Sequence, residues 1–216
     1  MPKKCLILYS SNTGHTEKVA ERFKSTFEKN GWECDIYKVR RKREDIFELP
    51  YDFNDYDFLC VGSGIMSHLP YSEILSTIRY RINNHDPRIS SRRRGEDLMY
   101  LKGPVPEPPT PEEGPLRAHR KIVLGPDSKK AAVFVTYTGC EFGPKEAEPA
   151  LKLLALEVEH LRIQCIGQFC CPGKYLDDPM PRTYHGDVRD RPNERDLLKA
   201  EMFIEEVLES IAERPS

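Results

Sequence analysis

The stretch Tyr9-Ser10-Ser11-Asn12-Thr13-Gly14-His15-Thr16-Glu17 joins two segments of different periodicity. Before it, Cys5-Leu6-Ile7-Leu8-Tyr9 is a short continuous apolar run; after it, Val19, Ala20, Phe23 and Phe27 recur at helical spacing. The stretch therefore reads as a tight turn between a strand and a helix. Ser11, Thr13 and Thr16 offer hydroxyls, Asn12 offers an amide, and Gly14 lets the backbone come close to a ligand. The first amides of a helix have no internal partner, and the helix dipole favours an anion there. Together these features describe a phosphate site built mostly from neutral donors. No lysine occurs in the loop before Lys18, which already lies in the helix, so the G-x-x-x-x-G-K-[ST] loop of triphosphate sites is absent. A lone phosphate monoester suits the loop better. The plainer reading is an ordinary capped helix start, since Ser, Thr and Asn are common caps.

Composition narrows the remaining choices. A chain of 216 residues is long enough for one α/β domain with a good core. Its net charge is -2, so no bulk field favours nucleic acid. An apolar content of 38% against 31% charged residues fits a globule with a heavily charged surface. No apolar run approaches the roughly 20 residues that cross a bilayer. The run after Lys3 and Lys4 is also too short for a signal peptide. A cytoplasmic protein without membrane or nucleic-acid partners is expected. The seven cysteines are odd in number and several sit in apolar runs, which favours reduced thiols over a disulfide framework. No C-x-x-C pair occurs, and His68, His85, His119, His160 and His185 lack metal-like spacing, so no metal site is expected.

Further along, Trp32, Cys34 and Ile36 alternate with polar residues, as on a strand at the edge of a sheet. The charged link Arg40-Arg41-Lys42-Arg43-Glu44-Asp45 reads as a solvated loop. Phe58-Leu59-Cys60-Val61-Gly62 is apolar throughout, as expected of a central strand covered on both faces. It runs into Gly62-Ser63-Gly64-Ile65-Met66-Ser67-His68-Leu69-Pro70, which holds half of a G-x-G-x-x-G fingerprint, with Ser67 in place of the last glycine. Its position after the third strand rather than the first argues against a nicotinamide site and for a loop lying against a flat ligand. A helix follows over about 71–83, carrying Ile74, Leu75, Ile78 and Ile82 on one side.

Residues 86 to about 130 change character, with eight prolines and the cluster Arg92-Arg93-Arg94. Proline excludes most regular structure, and too few apolar residues are present for a core, so this is an insertion in a single domain. Its bland reading is a surface arm; its sharper one is an arm that covers a neighbouring subunit in a homodimer or steers a partner. A fourth strand follows over 131–136, then the loop Tyr137-Thr138-Gly139-Cys140-Glu141-Phe142-Gly143-Pro144. The next helix runs to about His160 and carries Ala147, Leu151, Leu154 and Val158. A fifth strand covers 162–169, ended by Cys170-Cys171-Pro172-Gly173-Lys174-Tyr175, and Asn193 can cap a last helix. The vicinal Cys170-Cys171 pair reads as packing rather than as a redox couple.

Five strands alternating with helices imply a parallel, doubly wound α/β sheet. Ligands of such sheets bind beyond the carboxyl ends of the strands, where strand order reverses. Three loops leave those ends: 10–16 can supply phosphate donors, while 62–70 and 136–143 can clamp an aromatic ring.

At this point the chain resembles the flavodoxin family. Ser11-Asn12-Thr13-Gly14-His15-Thr16 is similar to the family's S/T-x-T-G-x-T phosphate loop for flavin mononucleotide (FMN). Ser63-Gly64-Ile65-Met66 is similar by position to the second flavin loop, and Thr136-Tyr137-Thr138-Gly139-Cys140 with Phe142 and Gly143 to the third. The resemblance implies a three-layer sandwich with sheet order 2-1-3-4-5. It also implies FMN held by Ser10, Ser11, Asn12, Thr13, Gly14, His15, Thr16 and the two later loops. Gly64 is the candidate for a carbonyl that turns toward the reacting edge of the ring, because glycine accepts both peptide orientations. The chain departs from the family in three ways. Its one Trp is Trp32 rather than a residue of the second loop, its charge is nearly neutral, and its insertion precedes strand four. Ile65 or Met66 must then pack on the ring, with Tyr137 or Phe142 as aromatic partner. The implied function is an FMN electron carrier between redox partner proteins, with no catalytic residue of its own. The alternatives are an FMN-dependent NAD(P)H or quinone reductase of the same fold, and a binding module that has lost its cofactor.

Overall fold

Strand β1 (Lys4–Ser10) is buried along all but its first residue, and the sheet is built outward from it on both sides. In the computed structural model the described residues are 2–85, 128–139, 141–174, 182–183 and 185–212. Strand β2 (Glu33–Lys38) pairs in parallel with β1, placing Cys34 beside Cys5. Strand β3 (Phe58–Met66) pairs with the other edge of β1, placing Phe58 beside Cys5 and Gly62 beside Tyr9. Beyond a short strand β4 (Leu69–Pro70), β5 (Lys130–Tyr137) pairs with β3 and β6 (Gln164–Pro172) pairs with β5. The resulting order is β2-β1-β3-β5-β6, all parallel. This is the expected 2-1-3-4-5 order; the numbers shift only because β4 folds back antiparallel on the end of β3.

Both faces of the sheet are covered, which explains the continuous apolar runs. Alternate residues of one strand serve opposite layers. Leu6, Leu8, Val61, Val133 and Val135 join Ile74 and Ile78 of α3 (Ser72–His85) and Leu154 and Val158 of α4 (Glu148–His160). Ile7, Cys60 and Phe134 join Val19, Phe23 and Phe27 of α1 (His15–Lys29) and Ile204 of α5 (Glu194–Ala212). The second layer is locked by aromatic rings. Phe23 meets Phe134 with centroids 4.8 Å apart, and meets Phe169 and Phe203 at 5.7 Å each. The Phe134 ring lies directly over Gly62, where an added Cβ would stand 2.1 Å from its Cζ. Asn193 caps α5 as expected: its Oδ1 accepts the Asp196 amide at 3.2 Å, while Asp196 Oδ2 accepts the Asn193 amide at 3.0 Å.

Three expectations need correction. The charged link is exposed along Arg40–Glu44, as expected, but it is not a loop to its end: it enters the short helix α2 (Arg43–Phe47), with Asp45 buried. Asp45 accepts the Tyr37 hydroxyl at 3.1 Å and the Arg40 amide at 2.9 Å, so tertiary partners draw this carboxylate inward. The second loop is a hairpin rather than a loop. Strand β3 continues through Met66, turns at Ser67 and His68, both at positive φ, and returns as β4. The fifth major strand extends through Cys170, Cys171 and Pro172, with Pro172 beside Tyr137 at the sheet edge, a position proline tolerates. The insertion reading falls on residues 86–127, outside the described residues; α3 ends at His85 and β5 begins at Lys130. Among the described residues no helix is long and apolar enough to cross a membrane.

Candidate functional site

The carboxyl ends of β1, β3, β5 and β6 meet around an open cleft of about 290 Å³, lined by Thr13, His15, Gly64, Ile65, Tyr71, Thr136, Tyr137, Thr138, Gly173 and Lys174. The cleft lies at the switch point, since β2 lies on one side of β1 and β3 on the other.

The first wall is the turn after β1. Gly14 adopts φ 82°, a left-handed conformation that suits glycine, and its amide donates to Ser11 Oγ at 3.1 Å. Gly14 is the N-cap of α1, and no side chain caps the helix. The hydroxyl-rich turn is thus not an ordinary capped start. The first-turn amides lie beside a cleft that Thr13 and His15 line. Thr16 and Ser10 are buried and serve the wall from behind. Thr16 Oγ1 and Thr136 Oγ1 share a hydrogen bond of 2.8 Å, and Ser10 Oγ donates to Glu73 Oε1 at 2.6 Å.

The second wall comes from the β3–β4 hairpin and the start of α3. Ser63 is fully buried; its hydroxyl donates to the Gly64 carbonyl at 2.6 Å and accepts the Tyr71 amide at 2.9 Å. The carbonyl expected to turn freely is therefore held by Ser63, so reorientation would cost a buried hydrogen bond. Glycine at 64 serves a different need as well: an added Cβ would stand 2.7 Å from the Tyr71 ring. The third wall is the end of β5 with the segment after β6, where the Gly173 amide donates to the Tyr137 carbonyl at 2.7 Å.

Of the residues expected at the site, Thr13, His15, Gly64, Ile65, Thr136, Tyr137 and Thr138 come together around the cleft. Ser10, Ser11, Asn12, Gly14, Thr16, Ser63, Met66, Gly139, Phe142 and Gly143 do not line it. Cys140 lies outside the described residues. Phe142 is 65% exposed, and the Tyr137 hydroxyl is engaged by His185 Nε2 at 2.8 Å. Tyr71 is the aromatic side chain that sequence reasoning missed, together with Gly173 and Lys174. The strand-end rule, extended to the last strand, would have found Gly173 and Lys174, which follow it. Tyr71 stands next to Pro70 and carries no glycine or hydroxyl signature of a ligand loop.

A family model described as Flavodoxin matches residues 7–68, from β1 through the turn after β3. Among solved structures, the oxidised Flavodoxin 2 from Bacillus cereus superposes with a TM-score of 0.54 at 16% identity, over 96% of this chain and 99% of that one. The fold of this chain is flavodoxin-like. A flavodoxin, WrbA-like protein from Agrobacterium tumefaciens superposes with a TM-score of 0.54 at 11% identity, over 99% of each chain. A flavone reductase reaches 0.58 at 10% identity, over 97% of this chain and 63% of that one. No curated protein matches the sequence.

Electrostatics around the cleft of this flavodoxin-like chain follow from burial. Burial, then Lys18 and Lys174, hold the His15 imidazole below its ordinary pKa; burial and then Arg191 do the same for His185. Burial pushes the Cys170 thiol up to about 11 and Cys171 higher still, with Cys170 also opposed by Glu148, so neither favours the thiolate. The two depressed histidines set a direction for stability. The unfolded chain protonates them near pH 6.5, before the folded chain does. Protons therefore bind preferentially to the unfolded state, and stability falls as pH drops below about 6.5. Urea midpoints should be lower at pH 5.5 than at pH 7, and the gap should shrink in a His15→Gln, His185→Gln double variant. Identical gaps in the two proteins would contradict this origin.

Proposed function

We propose that the cleft binds FMN and that the protein carries electrons between redox partner proteins. The observation that supports this most is the uncapped N-terminus of α1 at the switch-point cleft, beside Thr13 and His15. The residues present fit the group. The first-turn amides and the Thr13 hydroxyl would hold the phosphate. Gly64, Ile65 and Tyr71 would hold one side of the ring, with Tyr137 and Thr138 on another. The bound flavin supplies one- and two-electron chemistry. Ser10, Thr16 and Ser63 keep the walls in place through buried hydrogen bonds. Met66 and Leu69 on the hairpin and Phe142 after β5 are exposed apolar side chains near the strand ends that carry the cleft, and they suit transient contact with partner proteins.

Titrating the apoprotein with FMN tests this reading. The expected result is quenching of flavin fluorescence at a 1:1 endpoint, with affinity in the micromolar range or tighter, about -8 kcal/mol or better. Failure to take up FMN would sink it and leave a binding module. Steady oxidation of NAD(P)H by the loaded protein with a quinone present would instead place it among reductases.

A further inference from the structure

The loop after β1 offers neutral donors, but the adjoining wall of the cleft carries a charged side chain. Gly173 brings the chain against the first turn of α1: a Cβ at 173 would stand 3.2 Å from His15 Cβ and 3.3 Å from Thr136 Cβ. The next residue, Lys174, lines the same cleft as Thr13 and His15. Among the described residues several lysines pair with carboxylates, as Lys38 does with Glu17 at 2.8 Å and Lys29 with Glu201 at 2.8 Å. Lys174 has no carboxylate partner among the described residues. His15 Nδ1 is shielded from solvent and likewise has no hydrogen-bond partner among them. A buried polar atom left unpaired is costly, and the cost is recovered when a ligand satisfies it. The charged groups acting on His15 are Lys18 from its own helix and Lys174 from the end of β6, both positive. Glu17, the nearest acidic neighbour in sequence, is engaged by Lys38 and the Tyr9 hydroxyl.

We propose that the Lys174 ammonium and the His15 imidazole together clamp the phosphate end of the ligand, so that the site distinguishes FMN from riboflavin by the charge of Lys174. This rests on the flavin reading above. A phosphate monoester carries about -1.5 to -2 charges at neutral pH, whereas riboflavin carries none at that end. Lys174 acts as a point charge on the phosphate, and the imidazole supplies a directed hydrogen bond. The neutral cradle expected from the loop alone is thus completed by one positive group, Lys174, from a distant part of the chain.

The test compares FMN and riboflavin binding to the unaltered protein and to Lys174→Met by fluorescence. FMN affinity should fall about tenfold in the variant, the scale of one charged hydrogen bond, while riboflavin affinity should change less than about twofold. FMN binding to the unaltered protein should weaken with added salt, as charge pairing requires. Equal losses for both flavins, or no loss for FMN, would overturn the clamp. Lys174→Gln, checked by its melting curve, serves if the first variant folds poorly. A separate arm titrates inorganic phosphate against chloride at constant ionic strength and follows the His15 imidazole by NMR. Phosphate should move His15, and should require about tenfold higher concentration in Lys174→Met. If phosphate moves His15 but neither flavin binds, the flavin reading fails while the clamp stands. If phosphate leaves His15 unmoved, the clamp is overturned whatever the flavins do.

Discussion

Phe23→Ala should lower the unfolding free energy by about 3–5 kcal/mol, the range for deleting a fully buried phenylalanine. Phe23 is completely shielded and sits at the centre of a ring cluster, 4.8 Å from Phe134 and 5.7 Å from Phe169 and Phe203. These rings come from β5, β6 and α5, so no single neighbour can move in without dragging its own element. The void would therefore stay largely open, which places the loss toward the upper part of the range. In a domain of this size each kcal/mol lowers the melting temperature by about 2–4 °C, so a drop of roughly 10 °C or more is expected. A calorimetric scan showing a change under about 3 °C would mean that the cluster repacks, contrary to the geometry.

Gly62→Val should be of similar severity for the opposite reason. The Phe134 ring occupies the space a side chain would need, with a Cβ only 2.1 Å from Cζ. Phe134 is fully buried and backed by Phe23, so its ring has nowhere to go. Overpacking usually costs about 1–3 kcal/mol and occasionally more; here about 3 kcal/mol or more is expected. The two residues are register partners, two positions before Gly64 and Thr136 at the cleft. Pushing β3 and β5 apart at Gly62 should thus impair ligand uptake under conditions where most molecules remain folded. Circular dichroism at low denaturant together with flavin titration separates the two effects. Unaltered stability and uptake would show that the sheet yields at this point.

Much of this architecture is legible in the residues themselves. The run Cys5–Tyr9 and the helical spacing of Val19, Phe23 and Phe27 specify β1 and α1, because both faces of the strand and one face of the helix are buried. The β3–β4 hairpin was not legible, because its turn uses Ser67 and His68 at positive φ and lacks the glycine or asparagine that signals such turns. Helix α2 was hidden for a related reason: its buried Asp45 is satisfied by Tyr37 and the Arg40 amide, contacts that exist only once β2 is in place. At the cleft, loops rich in glycine and hydroxyls announced Thr13, Gly64 and Thr138. Those same features also marked Ser10, Thr16 and Ser63, whose hydroxyls turn inward. Composition cannot tell a hydroxyl that faces a ligand from one that props the wall behind it.

The cleft is assembled from four stretches far apart along the chain, around residues 13–15, 64–71, 136–138 and 173–174. No fragment short of the whole sheet contains it. An occupant present at 100 times its dissociation constant would then add about 2.7 kcal/mol to the entire domain, and its departure would be felt at the far ends of every strand. Thermal shift with candidate small molecules becomes a direct readout of what this protein carries.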